Sequence, residues 1–404
     1  MNKSRPTRVG FLTNMYTPYK EAMFREIAKL VDLKVYYCAE RESDRDWEVK
    51  FSGTYNYELL PGKTWNFGKR KLHYNPTIAS RITADNIDVM IVGEWCNPTV
   101  IMLPFWLRWK EMPRLLWSGS TPLEKSVARF FTYPLKRQIV AQYQGFITYT
   151  QRAANYLESL GAPREYITVA PVTVDTDFFS AQRERLLQEP GRVAIRTDLG
   201  LDADDIVVVF VGQMIRRKGV DLLIEAIAAL GKKRVVALLA GSGLEQESFE
   251  ELAERRGVAH RIRFLGQCSQ EDLARLYVAA DVFTLPSRQE PSGNVINEAM
   301  TMGLPVVISD RVGCDCVAHG ETGFVFEGEN VSAYTRALKA ITENTERYRV
   351  MGVAAREDLM SKFSIQIEAN EFTKAVGALL SRLGHSFHPK AQINSCLNPE
   401  VQDR

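Results

Sequence analysis

The chain has 404 residues, 45% hydrophobic and 25% charged, with 51 Lys and Arg against 49 Asp and Glu for a net charge of +2. One hydrophobic core stops growing at roughly 250–300 residues, so two domains are expected, and this composition excludes a mainly disordered chain. The near-balanced charge gives no reason to expect a nucleic-acid partner.

Residues 1–7 are short and polar, carry no secretory apolar segment, and lead into an apolar run at 8–13. Residues 19–30 have helical spacing at Met23, Phe24, Ile27, Ala28 and Leu30, and 33–38 read as a strand. Further apolar runs at 88–92, 114–118 and 145–148 alternate with helical patterns near 98–110, 126–142 and 151–160. The apolar stretch 89–107 contains Glu94, Asn97, Pro98 and Pro104, so it reads as strand, loop and helix rather than a membrane span. Residues 180–204 are polar with Pro190 and Gly191 and read as the interdomain boundary. A second alternating series follows: strands at 205–211, 234–240, 261–265, 281–285 and 305–309, helices at 219–230, 244–256 and 270–280, a short helix after Ser292, and helical patterns from 332 to about 383. The fold class this implies is α/β, two doubly wound Rossmann-like domains facing a central cleft. The expected domains are 1–185, completed by a C-terminal helix at about 364–384, then 186–363, with 385–404 as a loose tail.

Six scattered cysteines (Cys38, Cys96, Cys268, Cys314, Cys316, Cys396) do not resemble a disulfide framework, and reduced thiols in a cytoplasm are expected. Residues 1–190 carry an excess of 6 positive charges, which leaves −4 for the rest of a chain whose total is +2. Within 101–140, Arg108, Lys110, Arg114, Lys125, Arg129, Lys136 and Arg137 face only Glu111 and Glu124, and interleave with Phe105, Trp106, Trp109, Phe130, Phe131 and Tyr133. Such a stretch suits peripheral contact with an anionic membrane or a phosphate-bearing acceptor; a solvated helix exterior covering core residues is the alternative.

The segment 285–309, LPSRQEPSGNVINEAMTMGLPVVIS, ends a strand at Leu285 and opens a short helix after Ser292, the expected N-cap. Unpaired N–H groups of Gly293, Asn294 and Val295 at that helix start favour a phosphate. Glu290 before it and Glu298 within it are carboxylates suited to sugar and ribose hydroxyls. In residues 207–227 a strand ends at Gly212, a loop carries Arg216, Arg217 and Lys218, and a helix opens after Gly219; Lys218 can meet a diphosphate as a point charge. Singly, each of these residues reads more readily as a solvated surface side chain; together and in this order they do not.

The motifs GQMIRRKG, LAGSGLE, FLGQCSQEDLARLYVAADVFTLPS, EPSGNVINEAMTMGLPVV and HGETGFVF resemble the C-terminal half of family 4 glycosyltransferases, retaining enzymes of the GT-B type. The resemblance is dense over 205–327 and thinner in FLTNMYTPYKEAMFREIAK, RLLWSGST, ITYTQRAANYLESLGAP and VTVDTDFF. It implies a nucleotide-sugar donor, a glycan or lipid-linked acceptor, a role in cell-surface polysaccharide or glycolipid synthesis, no metal requirement, and work in the cytoplasm at the inner face of the membrane. By the same resemblance, Glu290 would contact the donor sugar and Glu298 the ribose. Gly293, Asn294 and Val295 would hold the diphosphate and Lys218 would clamp it, with Gly212, Arg216 and Arg217 in the same loop. Gly241 and Cys268 would line the base pocket. Glu290 and Lys218 would be the catalytic pair, and the leaving phosphate would take the acceptor's proton.

Two departures stand out. Gln213 occupies the position of an expected arginine, which Arg216 or Arg217 could replace. The N-terminal half also lacks the usual histidine near RLLWSGST, leaving Glu94, Ser118 and Ser120 as candidates on the acceptor side, with Tyr16, Thr17 and Tyr19 in the first loop. Asp175-Thr176-Asp177 imitates a metal motif but reads as a capped loop, and Gly241-Ser242-Gly243 imitates a dinucleotide fingerprint that lacks its third glycine. A soluble acceptor, or a non-catalytic binding protein on the same fold, are the rival readings.

Overall fold

The computed structural model describes residues 5–40, 53–67, 70–95, 97–121, 129–231, 234–290 and 292–390. The backbone forms two compact units, 1–172 with 365–404, and 173–364.

The first unit has a seven-stranded parallel sheet and a small hairpin. Its strands are β1 (Arg8–Thr13), β2 (Asp32–Tyr37), β3 (Asn56–Leu59), β4 (Lys63–Phe67), β5 (Arg70–Tyr74), β6 (Val89–Gly93), β7 (Arg114–Trp117), β8 (Gly145–Thr148) and β9 (Ile167–Val169). The sheet order is β3-β2-β1-β6-β7-β8-β9, and β4 and β5 pair antiparallel outside it. Successive strand residues point to opposite faces, and both faces are buried, which explains the continuous apolar runs. Phe11, Val35 and Ile91 pack on one side with Phe372, Val376 and Leu379 of the helix Ile365–Arg382, while Leu12, Met90 and Val92 pack on the other with Val100, Leu103 and Leu107. Val89–Gly93 and the helix Pro98–Trp109 divide the apolar stretch as its prolines and polar residues predict, and among the described residues no helix is long and apolar enough to cross a membrane.

The second unit has a six-stranded parallel sheet of β10 (Ile206–Val211), β11 (Val235–Ala240), β12 (Ile262–Gly266), β13 (Val282–Leu285), β14 (Val306–Ser309) and β15 (Gly323–Phe326), in the order β12-β11-β10-β13-β14-β15. Counted within the unit, this is the Rossmann order, with its reversal between β10 and β13. In the first unit the reversal lies between β1 and β6. Ligands of open α/β sheets bind outside the carboxyl ends of the strands at such reversals, so four loops are singled out by topology alone.

Several expectations change. Residues 180–204 are not a linker: helices Thr176–Gln188 and Arg192–Asp198 occupy them, and residues 173–185 lie with the second unit. The reason is a buried anchor. Arg192 Nη2 donates to Asp281 Oδ1 at 2.5 Å, Arg196 Nη1 lies 3.5 Å from Asp281 Oδ2, and that oxygen also accepts from Val207 N at 2.8 Å. Residues 385–390 are not a loose tail either. Thr7 N donates to His388 O at 2.8 Å, Lys390 N donates to Leu30 O at 2.9 Å, and Phe387 packs on the core; 391–404 lie outside the described residues. Cys314 and Cys316 form a disulfide rather than remaining thiols. Cys38 and Cys268 are not in a disulfide, and Cys96 and Cys396 lie outside the described residues.

Candidate active site

At the reversal of the second sheet, the loop after β10 meets the loop after β13. Glycines make the approach possible. Gly219 has φ +76°, and a Cβ there would lie 2.1 Å from Pro286 O; Gly241 has φ +127°, and its Cβ would lie 2.0 Å from Gly212 O. The backbone of this region is therefore stacked loop on loop. Gly212 N donates to Ala240 O at 2.9 Å, Met214 N to Ser242 O at 3.0 Å and Arg288 N to Arg217 O at 2.8 Å.

This scaffold joins two residues 72 positions apart: Lys218 Nζ donates to Glu290 Oε2, and the side chains are 13% and 11% exposed. Arg217 Nη1 lies 3.5 Å from the same oxygen and donates to Gln289 O at 2.9 Å. Of the two arginines that could compensate for Gln213, Arg217 therefore brings its guanidinium to Glu290. Arg216 enters through its backbone, its N–H donating to Glu245 and its carbonyl accepting from Arg288 Nη1 at 2.7 Å. Glu290 is held from behind, its N donating to Arg311 O at 3.2 Å and its O accepting from Gly313 N at 2.7 Å.

The helix Asn294–Thr301 starts beside Glu290. Its N-cap is Gly293 at φ +62°, not Ser292 as expected, because the loop must turn left-handed to enter the helix, and a Cβ there would press on Ile296 and Val312. The N–H groups of Asn294 and Val295 belong to the first turn, which has no intrahelical acceptors for them. Glu298 has a different setting from Glu290: it is 1% exposed and its Oε2 accepts from Tyr277 Oη at 2.7 Å. Cys268 sits half-buried after β12 with its Sγ 3.7 Å from Gly266 O, and burial, then Asp272, push its thiol pKa up.

Sequence reading missed Arg288. Its guanidinium pairs with both Asp221 oxygens at 2.7 and 2.8 Å while holding Arg216 O, so it fixes the turn that carries Lys218. The nearest sequence signal was an arginine directly after LPS.

At the reversal of the first sheet, the loops after β1 and β6 are tied by side-chain amides. Asn14 Nδ2 donates to Glu94 Oε2 at 3.2 Å, and Asn97 Nδ2 donates to Asn14 Oδ1 at 2.8 Å. Glu94 adopts φ +63°, a left-handed conformation that costs a side-chain-bearing residue about 1–2 kcal/mol, and its N donates to Trp117 O at 2.8 Å. Thr17 caps the helix Pro18–Leu30 by accepting from Lys20 N at 3.3 Å, with Tyr19 half-buried in that helix's first turn. Tyr16 stacks edge-on against Tyr37, centroids 4.1 Å apart, and burial, then Tyr57 and Glu40, push its phenol pKa up to about 12. Ser118 is committed to the sheet end, its N donating to Ile147 O at 3.0 Å, whereas Ser120 Oγ, one strand out, accepts from Trp95 Nε1 at 3.2 Å. The structure thus gathers Tyr16, Thr17 and Glu94 at one strand reversal, with Ser120 joined to the same β6 loop through Trp95 and Ser118 at the end of β7. Asp175 caps the helix Thr176–Gln188, accepting from Phe178 N at 3.0 Å, as the capped-loop reading expects.

Residues 192–358 match the model of the family described as glycosyl transferases group 1. The chain is 34% identical over 301 residues to a D-inositol 3-phosphate glycosyltransferase of Streptomyces avermitilis, covering 71% of this chain and 62% of that protein. It spans about half to 62% of the length of such curated relatives. Among solved structures, it resembles the sucrose-phosphate synthase of Thermosynechococcus elongatus, with a TM-score of 0.73 at 18% identity over 93% of this chain and 100% of that one. It also resembles the Anabaena protein HepE in complex with UDP, with a TM-score of 0.72 at 19% identity over 92% of this chain and 100% of that one. At such identities these two structures speak for the fold, which is α/β with two Rossmann-like domains of the GT-B type. Residues 192–358 are thus similar to the glycosyl transferases group 1 family.

Proposed function

We propose that this chain is a retaining glycosyltransferase, of family 4 type, that moves a sugar from a nucleotide-sugar donor to a glycan or lipid-linked acceptor, working at the inner face of the cell membrane in cell-surface polysaccharide or glycolipid synthesis. The observation that carries this reading is the Lys218–Glu290 pair with Arg217 beside it, on the loops at the strand reversal and next to the start of the helix Asn294–Thr301.

In this reading Lys218, Arg217 and the helix N–H groups receive the diphosphate. They stabilise the negative charge that develops on it as the glycosidic bond breaks, and so supply the charge that a metal would otherwise provide. Glu290 then exchanges Lys218 for a hydroxyl of the donor sugar. Glu298 takes the ribose, leaving Tyr277. Glu94, Tyr16 and Thr17 form the acceptor side. The named complex of HepE with UDP makes a uridine nucleotide the first donor to test.

The test is a thermal-shift panel with UDP, GDP, ADP and dTDP, each in EDTA. A ligand at 100 times its Kd adds about 2.7 kcal/mol, or roughly 5–10 °C in Tm. A shift with one nucleotide in EDTA supports the reading. A shift that appears only with added Mn²⁺ contradicts the metal-free part, and no shift in either condition contradicts the donor assignment. Anomeric analysis of the product by NMR tests retention.

A second reading has its own support. The relatives named as D-inositol 3-phosphate glycosyltransferases act on a small soluble acceptor, which this chain could share. Transfer to a soluble polyol phosphate, with none to lipid-linked or glycan acceptors, would favour it.

A further inference from the structure

The helix Pro98–Trp109 is apolar on both sides. Thr99, Val100, Leu103, Pro104 and Leu107 face the core, which accounts for one side. On the other, Met102 is 56% exposed, Phe105 46% and Trp109 72%. These positions are three and four residues apart, so they form one stripe on the outer surface. Single exposed apolar residues are ordinary, but a stripe of Met, Phe and Trp on a helix with its core face already satisfied has no role in the fold of this unit.

The charges around the stripe are mainly positive, with the exposed Glu111 as an acid among them. Arg108 and Lys110 close the helix, and Lys110 Nζ sits 4.2 Å from the centre of the Trp109 ring. The helix Arg129–Val140 belongs to the next crossover and adds the exposed Leu135 and Arg137. Arg108 Nη1 donates to Gln142 Oε1 at 3.1 Å, which ties the ends of the two helices together. Among the described residues no carboxylate forms an ion pair with Arg108, Lys110 or Arg137. Lys125 lies outside the described residues, as do the side chains of Arg129, Phe130 and Phe131.

An apolar stripe with an aromatic at its edge and unneutralised cations beside it matches a bilayer interface: the apolar side chains enter the acyl boundary and the cations meet anionic headgroups. A solvated exterior would carry polar residues at 102, 105 and 109. A protein partner has no comparable argument, because the positive charges select an anionic surface. We infer that the outer face of Pro98–Trp109, with Arg137 and Leu135 beside it, docks the first unit onto an anionic membrane. The same helix begins at Asn97, whose amide joins the Glu94 loop, so a lipid-borne acceptor would be delivered at the helix's start while its outer face lies on the membrane. The docking stands independently of catalysis, and its test reads binding rather than turnover.

The test is co-sedimentation of the full chain with vesicles of phosphatidylcholine alone and of equimolar phosphatidylcholine and phosphatidylglycerol. Binding to the anionic vesicles only, weakened by added NaCl, is expected. Two double variants follow: Met102→Ser with Trp109→Ser, and Lys110→Glu with Arg137→Glu. All four side chains are exposed, so both variants should keep the wild-type Tm while partition falls about tenfold or more. Three results would overturn the inference: no binding to anionic vesicles, binding unchanged in both variants, or a wild-type dimer in sedimentation velocity that becomes monomeric in the serine variant. The last would mean that a second copy covers the stripe.

Discussion

Lys218 Nζ donates to Glu290 Oε2, and each side chain is nearly buried by the loops that bring the two together. In the proposed reading, Glu290 holds the cation that would receive a diphosphate. The two residues should therefore respond differently to substitution. Lys218→Ala removes a charged contact worth about 1.5–3 kcal/mol, so the Kd for the responding nucleotide should rise roughly 10- to 150-fold. Glu290→Gln frees Lys218, so nucleotide affinity should hold or tighten while kcat falls roughly tenfold to a hundredfold from the lost contact to the sugar. Calorimetric titration and initial rates check both. Weakened nucleotide binding in Glu290→Gln would contradict the division of roles.

Gly219 and Gly231 separate the demand for space from the demand for backbone freedom. Both have positive φ, but a Cβ on Gly219 would lie 2.1 Å from Pro286 O, while one on Gly231 meets nothing within 4 Å. Gly231→Ala should cost only the left-handed penalty of about 1–2 kcal/mol. Gly219→Ala adds a collision with backbone, and should cost about 2–3 kcal/mol more and disturb Lys218 next door. Equal melting shifts for the two variants would show that the loop after β13 yields easily.

The strand–helix alternation was legible because buried parallel strands are continuous apolar runs, as in IVVVFV at β10 and VVALLA at β11. The hairpin KTWNF and RKLHY was not, since Lys63, Thr64 and Trp65 are exposed and a polar residue, His73, is the buried one, so neither run is a continuous apolar stretch. Glu290 and Lys218 could be paired from the order of the motifs. Their support by Arg288 and Asp221 could not, because an arginine held by long-range contacts looks like any surface arginine in a sequence. The segment 180–204 misled for the same reason: its polar residues read as linker, yet Arg192 and Arg196 reach a carboxylate more than 80 positions away.

High pH should destabilise the first unit, where burial raises the phenols of Tyr16, Tyr36, Tyr37, Tyr55 and Tyr143, more than the second, where it raises that of Tyr334. Burial is the leading cause that holds the phenols of Tyr36, Tyr37 and Tyr55 far above their ordinary value near 10, and that pushes Tyr16 up to about 12. A phenol whose pKa is raised on folding contributes stability that is fully present below pH 10 and is lost as pH rises through the folded value. Urea midpoints should therefore be flat from about pH 8 to 10 and fall steadily above it. The replacement Tyr16→Phe should flatten part of the fall between 10 and 12. A midpoint independent of pH up to 12 would mean that these phenols are open to solvent.

Asp281 anchors the helix Arg192–Asp198 in the second unit's fold. Its side chain is 10% exposed and takes Arg192, Arg196 and the N–H of Val207, so it ties the helix Arg192–Asp198 to the first strand of the sheet. Asp281→Ala leaves two partly buried guanidiniums without their carboxylate, a loss of about 3–5 kcal/mol when one partner of a buried pair is removed. The unit should melt roughly 6–20 °C lower. Asp281→Asn keeps an acceptor for Val207 N and should fall between Ala and wild type. Differential scanning calorimetry of the full chain reads both. A shift below about 1 kcal/mol for Asp281→Ala would mean that this ion pair does not hold the helix Arg192–Asp198 in place.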